Sequence, residues 1–129
     1  MAHKIMAYEI EYPWRRNPRL IRAAYGDHVS DVEITHSLED IATLLDQAMM
    51  PMHVVIDFSY MASGPENVLD LFLKSRMPYH DKQGYCLFLH PDKFLRFMGQ
   101  VLNHEAGLHV EFRDDDEGAW QFFSEMGFC

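Results

Sequence analysis

Cysteine is scarce in this chain: two occur in 129 residues, Cys86 inside an apolar stretch and Cys129 at the last position. Two thiols build neither a disulfide framework nor a cysteine-based zinc cluster, and Cys86 reads as a small buried hydrophobe. Positive charge is also short. Eleven Lys and Arg stand against twenty Asp and Glu, a net charge of −9, the wrong sign for neutralising the phosphates of a nucleic acid or an anionic membrane surface. No apolar run approaches the roughly 18 to 20 residues that span a bilayer, and the opening MAHKIMAYEIEYPW lacks the h-region and cleavage site of a secretory signal. The expectation is a cytoplasmic protein with no nucleic-acid partner and no membrane insertion.

Local signatures of chemistry are missing too. Nothing matches G-x-G-x-x-G, a P-loop, G-x-S-x-G or H-E-x-x-H. The histidines at 28, 36, 53, 80, 90, 104 and 109 fall in different segments, and His80-Asp81 resembles a metal-binding dipeptide without further ligands. The acidic run Asp114 to Glu117 lacks the twelve-residue alternation of a calcium loop. No cofactor, no metal and no catalytic set is therefore expected.

What is present is patterned. With 48% hydrophobic residues the chain can bury one core, so a single domain over 1–129 is expected. IMAYEIEY and RLIRAAYG, separated by PWRRNP, read as an opening hairpin. Ser30-Asp31-Val32-Glu33 has capping-box spacing, and behind it Ile34, Leu38, Ile41, Leu45 and Ala48 form a helical stripe of about twenty residues ending before Pro51. HVVIDFS is a buried, β-branched strand. GPENVLDLFLKSRM reads as a helix with Pro65 in its first turn, and GYCLFLH as the next strand. Pro91 opens a third helix with Phe94, Phe97, Met98, Val101 and Leu102 as its apolar face and Gly107 at its end; LHVEF is a strand, and DDDEGAWQFFSEM closes the chain as a helix with acidic residues at its positive end and Trp120 and Phe123 as anchors. The order β-β-α-β-α-β-α-β-α implies an α/β fold with a mixed, mostly parallel sheet, one antiparallel edge and helices mainly on one face.

Two residues at the turn after the third strand carry most of the functional interest. Ser63-Gly64-Pro65-Glu66 repeats the S-x-x-E capping pattern, so Ser63 reads first as a helix N-cap. Asp57, at the end of the strand, reads as an acceptor of nearby turn N–H groups, with a general-base role as the sharper alternative.

The element order and the segment Asp57-Phe58-Ser59-Tyr60-Met61-Ala62-Ser63-Gly64 resemble the STAS domain of SpoIIAA-like anti-sigma-factor antagonists. In that family the turn serine is phosphorylated by a partner kinase, and the unmodified form binds it. The resemblance makes Ser63 the candidate phosphoacceptor and Asp57, Ser59, Tyr60, Gly64 and Glu66 candidate partner-binding residues. The chain departs from the motif: Ala62 stands in place of an acidic residue, the segment is one residue shorter, and the helix starts with Pro65-Glu66. The shorter segment also aligns in two ways, with Ser63 at the acceptor position or one before it. A degenerate member without a working phosphoserine switch is implied. Trp14, Gly26-Asp27-His28-Val29-Ser30, Val55-Ile56-Asp57 and Ala119-Trp120 are similar to features of a group of bacterial SpoIIAA-like proteins of this size, which brings no activity with it.

The function implied is a non-catalytic regulatory or protein-interaction module, its partner a protein of the kinase-type anti-sigma class or a second copy. The alternative is a carrier of a small apolar, lipid-like ligand held between helices and sheet by Phe72, Phe94, Phe97, Met98 and Trp120. A hydrolase or transferase using Asp57 with a histidine has no motif behind it.

Overall fold

The computed structural model of the chain describes residues 7–129. Its elements run β1 (Tyr8–Glu11), β2 (Leu20–Tyr25), α1 (Asp31–Asp46), β3 (Met52–Asp57), α2 (Val68–Lys74), β4 (Gln83–Leu89), α3 (Lys93–Ala106), β5 (Val110–Arg113) and α4 (Asp116–Glu125), the order expected from the sequence. Ile5 and Met6, expected in the first strand, lie outside the described residues. The strands form one sheet in the order β1-β2-β3-β4-β5. β1 pairs antiparallel with β2, and every other pair is parallel. β3 is central, and all six of its residues are buried, which suits its run of β-branched side chains.

Strand alternation divides the core in two. Ile21, Ala23, Val54, Ile56, Cys86 and Phe88 face α1, α2 and α3. Leu20, Val55, Leu87 and Leu89, of opposite parity, face α4 through Ala119, Phe122 and Phe123. Three helices therefore cover one face and a single helix the other. No helix among the described residues is long and apolar enough to cross a membrane.

Helix α1 starts where its sequence says. The Ser30 hydroxyl accepts from Glu33 N–H at 3.2 Å, and the Glu33 carboxylate takes Ser30 N–H at 2.9 Å. Ile34, Leu38, Ile41 and Leu45 are fully buried, but the helix ends at Asp46, capped by Gln47, so Ala48 lies in the following turn rather than on the stripe.

Helix α3 differs in phase. Its buried face is Leu95, Met98, Gly99 and Leu102, while Phe94 and Phe97, expected in the core, are 44% and 54% exposed. The reason is Gly99: a Cβ there would fall 2.5 Å from Phe112 Cζ and 2.9 Å from Val110 Cγ1. The missing side chain lets the helix backbone sit directly on β5, and that close approach fixes which way the helix faces. Gly99→Ala is expected to destabilise the chain by about 1 to 3 kcal/mol despite the better helix propensity of alanine, because the added methyl would meet a ring and a β-branched side chain of the partly buried strand β5. A urea titration of the two chains measures it; equal or higher stability in the variant would refute the close-approach account.

Candidate functional site

The turns that follow β2 and β3 run side by side at the carboxyl end of the parallel strands, the region where open α/β sheets build their sites. The carbonyl of Asp27 accepts the N–H groups of both Ala62 and Ser63 at 2.9 Å, and Val29 N–H reaches the Ser63 carbonyl at 3.3 Å. These bonds make a short parallel bridge between His28 and Ser63. Across it, His28 Nδ1 and Ser63 Oγ lie 2.7 Å apart, both residues exposed.

This bridge overturns the reading of Ser63 as an N-cap. Helix α2 begins at Val68, with Asn67 as its cap and no side-chain cap hydrogen bond. A capping Ser63 would have to offer its backbone to the first helical turn, but its carbonyl is committed to Val29 and its hydroxyl to His28. Asn67 is likewise diverted, its side-chain amide donating to Asp31 Oδ2 at 3.3 Å. The tertiary bridge outcompetes the local motif, and Gly64-Pro65-Glu66 remain non-helical.

Asp57 is 4% exposed and engaged at both oxygens. Its Oδ1 accepts Ser59 N–H at 2.9 Å, the turn role expected of it, and its Oδ2 lies 2.5 Å from Arg22 Nη2. Arg22 Nε in turn binds Asp116 Oδ1 at 2.8 Å. An ion triad, buried at Asp57 and open to solvent at Asp116, thus ties β2 and β3 to the first turn of α4. Neither Asp57 oxygen bonds a histidine, so the sharper reading of it as a general base finds no geometric partner. The acidic start of α4 does more than oppose the helix dipole: Asp115 caps Gly118 N–H at 2.8 Å, and Glu117 pairs with Arg15 at 2.5 Å.

The remaining turn residues are on the surface. Tyr60 is 53% exposed, and Ser59 and Glu66 are exposed as well. A depression of about 370 Å³ runs along Met61 to Glu66, Val68, Asp92 and Phe94. A second, of about 330 Å³, lies on the other side of the same turn, against Ser30, Asp31 and Glu33 at the start of α1. The Glu33 carboxyl is held below the usual carboxylate range, first by the Ser30 backbone N–H and then by the Ser30 hydroxyl.

The five residues expected to line an apolar ligand pocket are not brought together. Phe72 and Met98 are fully buried packing residues in the core under α1 to α3. Trp120 belongs to the opposite face, its ring edge-on to Trp14 at 5.8 Å. Phe94 and Phe97 face outward because of the phase of α3.

Two functional or structural residues escape the sequence patterns. His53, in β3, is 3% exposed: Nδ1 accepts Tyr85 N–H at 2.9 Å, the ring stacks on Phe128 at 4.0 Å, and Nε2 has no partner. Its pKa is pushed down to about 4, chiefly by burial and further by the Arg19 guanidinium. His28 is the other, placed against Ser63 by a bridge that no local spacing reveals. His80 gives Nε2 to Asp46 at 2.7 Å, a carboxylate held below its usual range first by Arg76 and then by His80. Among the described residues no three His, Cys, Asp or Glu side chains converge as a metal site.

Comparison with known proteins bears on the fold. No family model matches the chain, and no curated protein matches it. Among solved structures it is similar to an uncharacterized protein of the DUF3478 family from Shewanella loihica PV-4, described as having a SpoIIAA-like fold. The TM-score is 0.69 at 10% identity, covering 95% of this chain and 98% of that one. The fold is SpoIIAA-like.

Proposed function

We propose that this SpoIIAA-like chain is a non-catalytic, cytoplasmic regulatory module that docks a protein partner on the surface made by the Ser59 to Glu66 turn, the start of α2 and the outer face of α3. The observation that carries this reading is the exposure of Phe94 in the depression beside the turn, with two further exposed aromatic side chains nearby in sequence, Tyr60 and Phe97. Tyr60, Phe94 and Phe97 are 53%, 44% and 54% exposed, and Phe94 lines the groove beside the turn. Large rings left in water beside a concave apolar surface favour association. A kinase-type anti-sigma factor is the partner class that the resemblance implies.

The module works without a phosphoserine switch. A phosphate on Ser63 would add about −1.5 to −2 charge beside carboxylates that line the same depressions, Glu66 on one side and Asp31 and Glu33 on the other. Its hydroxyl is also held in the His28 contact, and Ala62 replaces the acidic residue of the motif.

The test is affinity capture from the host with the wild-type chain, a Phe94→Ala/Phe97→Ala variant and Ser63→Asp. The aromatic variant is expected to lose a specifically bound partner by about tenfold or more in affinity, with its thermal unfolding little changed because both rings are outside the core. Ser63→Asp keeps the partner, and intact mass of the host protein gives no phosphate on Ser63. Undiminished capture by the aromatic variant would remove the docking surface, and phosphate on Ser63 would remove the switch-free reading.

A further inference from the structure

We infer that the two depressions flanking the Ser63–Pro65 turn receive a segment of the partner that carries an apolar anchor residue with Lys or Arg beside it. The inference rests on the docking role proposed above and adds the chemistry of what docks.

The two depressions share Ser63, Gly64 and Pro65, so they adjoin along that turn. The first has an apolar lining, from Met61, Pro65, Val68 and Phe94, into which an aliphatic or aromatic side chain fits. Charge decides the rest. Glu66 and Asp92 line the first depression, Asp31 and Glu33 the second, and no Lys or Arg appears among the described lining residues of either.

Asp92 and Glu33 are also fixed in place. Asp92 Oδ1 accepts Leu95 N–H at 2.8 Å as the cap of α3, and Glu33 is held by Ser30. Their conformations are therefore set before anything binds, and a cation brought to them costs them little ordering. Two carboxylates beside the apolar lining and two more in the adjoining depression repel an acidic segment and steer a basic one, with rim charges acting mostly on encounter and partner choice.

A second copy of this chain is the poorer occupant. With a net charge of −9 it would bring carboxylates against carboxylates across a self-complementary contact.

Two synthetic peptides with the same Leu and Phe residues, one flanked by Lys and the other by Glu, are titrated into the ¹⁵N-labelled full chain. The Lys peptide is expected to shift the amides of Ser63, Gly64, Glu66 and Phe94, and to weaken about tenfold when Glu66→Gln and Asp92→Asn are combined. Asparagine still caps a helix, so this double variant keeps its fold while losing the charge. The Glu peptide is expected to leave those amides unmoved. Binding of the Glu peptide as tightly as the Lys peptide, binding unaffected by the double variant, or shifts confined to another surface would each overturn the basic-segment inference. So would silence from both peptides, or a dimer in sedimentation that Phe94→Ala/Phe97→Ala abolishes. Failure of the docking role itself is read separately, in the capture experiment with the aromatic variant.

Discussion

Arg22→Ala is expected to lower the stability of the folded chain by about 3 to 5 kcal/mol, more than Gly99→Ala or the loss of any exposed side chain. The side chain is 14% exposed and lies between two carboxylates, 2.5 Å from Asp57 and 2.8 Å from Asp116. Removing it leaves the Asp57 carboxylate, itself 6% exposed, without a counter-charge in the apolar layer beneath α4. The Ser59 N–H alone cannot replace the guanidinium. Denaturant unfolding followed by circular dichroism measures the loss. A control separates an uncompensated charge from lost packing: Arg22→Met combined with Asp57→Leu removes both buried charges together and should recover most of the stability, since a buried ion pair replaced by apolar groups of similar size is often neutral. Asp116, 38% exposed, can then be solvated by water. An Arg22→Ala chain within about 1 kcal/mol of wild type, or a double variant no better than the single one, would refute the account.

The second large effect is pH-dependent and comes from His53. Its pKa is pushed down to about 4 in the folded chain against roughly 6.5 for an unperturbed histidine. Between those values the unfolded chain binds a proton that the folded chain does not, so stability rises with pH there and is lost as pH falls. The contribution is fully present above about pH 6.5. It declines toward about pH 4 by about 2 to 3 kcal/mol, of which about 1.5 kcal/mol goes between about pH 6.5 and 5. That upper part of the window lies above the normal carboxylate range, where Asp46, Glu39 and Glu33 add little. Unfolding free energies at about pH 6.5 and about pH 5 for wild type and His53→Leu make the comparison. The variant loses the acceptor for Tyr85 N–H and starts less stable, so the test is the slope and not the level. An equal pH slope in both chains would refute the assignment to His53.

The contrast between two serines explains which parts of the molecule were legible in its sequence. Ser30 and Ser63 each stand three residues before a glutamate, and each reads as a capping box. Ser30 forms one because its partners are the neighbouring residues of its own helix. Ser63 does not, because Asp27 and Val29, more than thirty positions away, take its N–H and its carbonyl. Local grammar matches wherever the partners are local: the α1 stripe from Ile34 to Leu45, the αL cap at Gly107, the opening hairpin and the buried run of β3. It failed where a distant residue decided. The phase of α3 turns on Gly99 against Phe112 and Val110, and a glycine inside a helix announces only that something is close. The candidate site was legible as a location, the turn after β3, but His28 belongs to it through strand pairing alone. Arg22 was the one missed residue with a readable sign, since a charge inside an apolar strand calls for an opposite charge and Asp57 has the matching strand parity.

The shape of the loop that holds Ser63 is drawn by main-chain atoms: peptide groups of Asp27, Val29, Ala62 and Ser63 bond to one another without help from their side chains. Contour and chemistry are consequently independent variables at this end of the sheet. Replacing exposed side chains there alters the chemistry of the surface while leaving the main-chain mould intact, so the same contour can carry different surface groups with no need to refold anything beneath them.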